Sequence, residues 1–126
     1  MAKRVVVVDD SRILIRQISD FLIQQMGYEV VGTGMDGNQA VSLFRQYRPD
    51  LITLDITMPN KDGKAAMKEI MAEFPEAKVL MISAVKGTAM LQCIKDGAKG
   101  YIEKPLMFKN EQFVRDFKDS LEEIFA

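Results

Sequence analysis

Asp9-Asp10, Asp55, Ser83 and Lys104 each stand directly after a short strand-like run: Val5–Val8, Leu51–Leu54, Lys78–Ile82 and Gly100–Glu103. Four consecutive valines that end on two adjacent carboxylates need a reason. If Asp9, Asp10 and Asp55 converge, they repel one another and each is driven toward protonation. A hard divalent cation relieves this. Mg²⁺ takes oxygen ligands: a few protein carboxylates, several waters and often a phosphate oxygen. Lys104 adds a compact positive charge suited to a phosphoryl oxygen, and Ser83 a hydroxyl donor. A carboxylate nucleophile, a neutralising cation and a phosphoryl cradle together make an aspartyl-phosphate site.

The elements that must bring these residues together follow from the apolar spacing. Val5–Val8 is one buried run, and Glu29–Thr33, Leu51–Leu54, Lys78–Ile82 and Gly100–Glu103 are four more. Between them lie helical periods. Ser11 to Met26 carries Ile13, Leu14, Ile18, Phe21 and Leu22, closed by Gly27. A second helix starts at Asp36-Gly37, with Ala40, Val41, Leu43, Phe44 and Tyr47 on its apolar side, and ends before Pro49-Asp50. A third runs from about Lys64 to Phe74, after a turn and helix start at Asp62-Gly63. The fourth covers Gly87–Asp96 with Gly97 at its end and Cys93 on its core face. The last, about Asn110 to Phe125, carries Phe113, Val114, Phe117, Leu121, Ile124 and Phe125. Strict alternation of strands and helices implies an α/β fold: a doubly wound parallel sheet of five strands with helices on both faces. In such a sheet the strand C-termini share one edge, where ligands bind. Asp9, Asp10, Asp55, Ser83 and Lys104 all fall on that edge.

Composition narrows the function classes. The chain has 126 residues, 48% hydrophobic and 28% charged, and a net charge of -1, so one domain is expected across 1–126 with no output segment. No basic surplus argues for nucleic acid. One cysteine forms no disulfide within the chain, and no segment reads as a signal peptide or membrane span, which fits the cytoplasm. Histidine is absent, which removes His-based catalysis, His metal ligation and phosphohistidine on this chain.

Together and in order, "VVVVDDS", "LITLDITMP" followed by "DG", "VLMISA" and "GYIEKP" resemble the response-regulator receiver domains of two-component signalling, of the single-domain CheY-like type. The resemblance covers essentially the whole chain. It implies the flavodoxin-like strand order 2-1-3-4-5. It makes Asp55 the phosphoacceptor for a phosphohistidine on a histidine kinase. Asp10 and Asp55 would ligate Mg²⁺ directly, Asp9 through water, and Thr57 through its backbone carbonyl. Ser83, the Ala84 N–H and Lys104 would hold the phosphoryl group, and Lys104-Pro105 would be a cis peptide. Ser83 and Tyr101 would form the switch that remodels the face of the fourth helix, fifth strand and fifth helix, where a flagellar motor switch or phosphotransfer protein docks. Thr57 and Val85 would tune self-dephosphorylation, and the protein would be a monomer or weak homodimer rather than a conventional enzyme. Two departures stand out: Leu106 replaces a common Phe, and "LMFKNEQ" is longer than the usual connection into the last helix.

Three other readings compete. A phosphorelay intermediate would pass the phosphoryl group on to another histidine protein. A Mg²⁺-dependent phosphatase with an aspartyl nucleophile would want a second acid beside it, but Ile56 and Thr57 follow Asp55. A flavin mononucleotide binder would want a phosphate-binding Ser/Thr/Gly loop after the first strand, where Asp9-Asp10 stands.

Overall fold

In a computed structural model that describes residues 2–126, β1 (Arg4–Val8) buries all four valines. Only a strand covered on both faces can do that. Val6 and Val8 pack toward α2 (Gly37–Tyr47) and α3 (Gly63–Glu73), whereas Val5 and Val7 pack toward α1 (Arg12–Met26) and α5 (Glu111–Ile124). Each fully buried valine contributes about 1.5–3 kcal/mol of transfer free energy. The remaining strands are β2 (Glu29–Gly34), β3 (Leu51–Leu54), β4 (Val79–Ser83) and β5 (Gly100–Glu103), and α4 (Thr88–Lys95) joins the last two. All pairings are parallel, in the order β2-β1-β3-β4-β5.

Local chemistry sets the helix ends. Ser11, Asp36, Asp62 and Asn110 cap α1, α2, α3 and α5, each accepting the N–H three residues on. Asp62 places the start of α3 at Gly63, one residue before the sequence expectation. That helix stops at Glu73 because Phe74 precedes Pro75, which disfavours helical backbone. β2 extends one residue further than expected, to Gly34, and Ser83 is the last residue of β4 rather than the first beyond it. Helix α4 is one residue shorter at each end than its sequence period: Gly87 precedes it at φ 72 with no side-chain cap bond, and Asp96 caps its end, with Gly97 following at φ 119. Its inner face buries Cys93, while Leu91 and Ile94 are exposed. The long connection after β5 is anchored by Phe108, whose ring stacks 5.1 Å from Phe21 and meets Phe113 and Phe117. Among the described residues no helix is long and apolar enough to cross a membrane.

Candidate functional site

The C-terminal ends of β1, β3, β4 and β5 bring Asp9, Asp55, Ser83 and Lys104 to one rim, as their strand-end positions require. Asp9 and Asp55 are buried and Asp10 is exposed, and one carboxylate oxygen from each lies within 4.8 Å of the others. The Lys104 ammonium reaches in from the β5 end and donates to Asp9 Oδ2 and Asp55 Oδ2, both at 2.8 Å. Asp9 Oδ1 accepts the Ser11 N–H at 2.9 Å, which ties the cluster to the start of α1. Asp55 Oδ1 accepts the Thr57 N–H at 3.4 Å. Ser83 is buried and its hydroxyl accepts the Val85 N–H at 3.3 Å. Lys104-Pro105 is cis, as the resemblance implied.

One cation faces three carboxylates, and burial and ion pairing compete in their proton affinities. Burial pushes the Asp9 carboxyl above the usual range, more than its bonds to Lys104 and Ser11 pull it down. Burial opposes the Lys104 charge, yet the Asp55 and Asp9 carboxylates override it and raise the ammonium above its ordinary value. The cluster keeps an excess of negative charge. Its donors are all oxygens, with no nitrogen or sulfur ligand among them, and its outer member is exposed to water. That set fits a hard cation such as Mg²⁺, which keeps part of its hydration shell.

Thr57 and Ala84 are exposed, on the loops that leave β3 and β4. Val85 is half-buried against the core on the α2–α3 side. Tyr101 is half-buried too, and its hydroxyl donates to the Val85 carbonyl. Burial raises the phenol above its ordinary value. In the sequence Asp62-Gly63 reads as a turn and helix start. Gly63 also lies against the backbone of Asp55 and Ile56, where no side chain fits. Asp36, at the start of α2, and Asn60 bond to each other beside the same loop.

Asp10 takes no part in the Lys104 pairs. Asp10→Ala is therefore expected to abolish Mg²⁺ binding in a calorimetric titration while leaving the metal-free unfolding midpoint unchanged or higher. A clear fall in metal-free stability would make Asp10 a structural residue instead.

Comparison with known proteins places these features in context. Residues 5–115 match the family model of the response regulator receiver domain. The chemotaxis protein CheY of Thermotoga maritima is 43% identical over 106 residues, 83% of this chain and 88% of that protein. CheY of Bacillus subtilis is 42% identical over the same shares of the two chains. Among solved structures, the CheX-CheY-BeF3-Mg complex from Borrelia burgdorferi superposes with a TM-score of 0.88 at 31% identity, covering 98% of this chain and 90% of that one. The response regulator domain of Thermotoga maritima CheB gives 0.84 at 34% identity, covering 98% and 94%.

Proposed function

The chain belongs to the response regulator receiver family, and on that premise we propose that it is a switch of chemotaxis-type signalling that takes its phosphoryl group on Asp55. Members of this family are phosphoacceptors rather than conventional enzymes, and they bind Mg²⁺ at an acidic pocket. The observation that carries the assignment is the Lys104 ammonium held at 2.8 Å between Asp55 and Asp9 on a rim that also presents Asp10.

The transfer follows from these groups. An Asp55 carboxylate oxygen attacks the phosphorus of a phosphohistidine on a histidine kinase. The O–P bond forms as the P–N bond breaks, and the electron pair leaves on the imidazole nitrogen, which takes up a proton. Lys104 keeps its bond to Asp9 and shifts its other donor from Asp55 to a phosphoryl oxygen, where charge develops. Ser83 and the Ala84 N–H supply two more donors. Asp10, Asp55 and the Thr57 carbonyl would hold Mg²⁺, with Asp9 acting through water, and the ion would supply charge neutralisation. Movement of Ser83 toward the phosphoryl group couples to Tyr101 through Val85, whose N–H bonds Ser83 and whose carbonyl accepts from Tyr101. That biases a two-state face made by α4, β5 and α5. A downstream protein of the flagellar switch or CheX kind reads that face in the cytoplasm. The BeF3 in the Borrelia complex stands in for a phosphoryl group, which supports this reading of the fold.

Intact mass after incubation with acetyl phosphate tests the assignment. One phosphoryl group is expected, requiring both Mg²⁺ and Asp55. An adduct that persists in Asp55→Asn, or that forms equally without Mg²⁺, would overturn it. Val85 also bears on lifetime, because its side chain offers no hydrogen bond to an attacking water. Val85→Glu is expected to speed loss of the phosphoryl group by about tenfold or more. An unchanged decay rate would remove Val85 from that role.

A further inference from the structure

The loop from Asp55 to Gly63 is held by a neighbour outside the phosphoryl site, the N-terminus of α2. Asp36 is buried and uses both carboxylate oxygens. Oδ1 accepts the Gln39 N–H at 2.8 Å as the helix cap, and Oδ2 accepts the Asn60 side-chain amide at 2.7 Å. These bonds, the cap first and Asn60 second, hold the Asp36 carboxyl below the usual carboxylate range. Asn60 sits at φ 66, in the middle of a turn closed by the Lys61 N–H on the Pro59 carbonyl at 2.7 Å. Such backbone is costly and persists where surrounding contacts fix it. The Gly37 N–H donates to the Lys61 carbonyl at 2.8 Å, and a Cβ on Gly37 would come within 2.4 Å of that oxygen. Further along, the Gly63 N–H closes the loop on the Ile56 carbonyl at 2.8 Å.

We propose that Asn60 is a positioning residue for the metal and phosphoryl site: its bond to Asp36 braces the loop that sets Thr57 beside Asp55. This rests on the reading of Asp55 and Thr57 as Mg²⁺ ligands. Asn60 is assigned neither to the metal nor to the phosphoryl group. It acts through the loop, as partners behind metal ligands do.

The two oxygens of Asp36 make the brace separable from the cap. Serine caps a helix as well as aspartate does, but it has a single, shorter oxygen. In Asp36→Ser that oxygen stays on the Gln39 N–H, and the Asn60 amide loses its acceptor on α2. The Mg²⁺ dissociation constant, titrated with the metal alone, is expected to rise about tenfold, with little change in the metal-free urea midpoint. Asn60→Gly keeps the positive φ and removes only the side chain, so the same loss is expected without the cap being touched. Combining Asp36→Asn with Asn60→Asp exchanges donor and acceptor, and affinity is expected to return toward wild type. Asn60→Asp alone carries the same added charge without the bond and is expected not to recover it. Wild-type affinity in both Asp36→Ser and Asn60→Gly would overturn the brace while leaving the site intact. A wild-type protein that binds no Mg²⁺ would instead overturn the reading of the site, and the brace with it.

Discussion

Lys104→Met is expected to lower the stability of the metal-free protein by about 3–5 kcal/mol, the usual consequence of removing one partner from a buried ion pair. Solvent screening does not soften the loss, because the side chains of Lys104, Asp9 and Asp55 are only 14%, 1% and 7% exposed. Methionine retains most of the stem volume, so the effect reports charge. The pH dependence has a definite sign. The Lys104 ammonium is raised above its ordinary 10.5, so its contribution is complete below that value and is lost as pH rises through the higher folded value. Asp9 is raised too, so its ionised form already costs stability at neutral pH, and acidification relieves that cost. In the variant, lowering the pH toward the carboxylate range should therefore recover part of the loss. Mg²⁺ should recover more, since a divalent cation replaces the missing charge. Phosphoryl uptake at saturating Mg²⁺ is expected to slow by about a hundredfold, the effect of deleting one donor to a developing charge. Urea unfolding in chelator and in Mg²⁺ measures the first two effects. A variant as stable as wild type in chelator would show that Lys104 is not the counter-ion of the buried pair.

Gly63→Ala should be nearly as damaging from a position with no charge at all. A Cβ there would lie 2.0 Å from the Asp55 carbonyl oxygen, 2.8 Å from its carbon and 3.0 Å from Ile56 Cα. All three atoms are backbone, so no rotamer change makes room. The start of α3 must retreat from the end of β3, at an expected cost of about 3 kcal/mol. Asp55 moves with that backbone, and a displacement near 1 Å is enough to slow phosphoryl uptake by about a hundredfold. Gly27 is the control. It has φ 68 but nothing within 4 Å of an added Cβ, so Gly27→Ala should cost about 1 kcal/mol and leave uptake unchanged. Equal behaviour of the two variants would show that the contact at Asp55 does not matter.

The site was readable in the sequence to the extent that strand ends are readable. Val5–Val8 and Leu51–Leu54 are short apolar runs with abrupt polar ends, and in a parallel sheet those ends must meet. The strand order itself came with the family resemblance, since the period of a strand says nothing about its neighbours. Contacts that join distant loops left no such mark. Asp36 reads as a helix cap and Asn60 as a loop residue, and neither pattern says that they bond. Gly63 reads as a helix start, while its approach to Asp55 depends on how α3 returns to β3. Tyr101 finds a backbone carbonyl, at Val85, which no side-chain pattern can announce. The end of α4 did leave a mark: Gly97 reads as a helix stop, and it follows the cap Asp96 at φ 119, the positive φ that glycine supplies there.

Cys93 gives the chain a built-in clock. It is the one cysteine in the sequence, fully covered by the inner face of α4, and burial pushes its thiol up, away from the reactive thiolate. A thiol reagent reaches it only while α4 stands away from the sheet, so the modification rate counts those departures. The helix has no side-chain cap and turns Leu91 and Ile94 outward, so its departures are expected to outpace global unfolding. Labelling kinetics on the unaltered protein can therefore follow the motion of α4 as Mg²⁺ and acetyl phosphate are added, with no engineered reporter in the way.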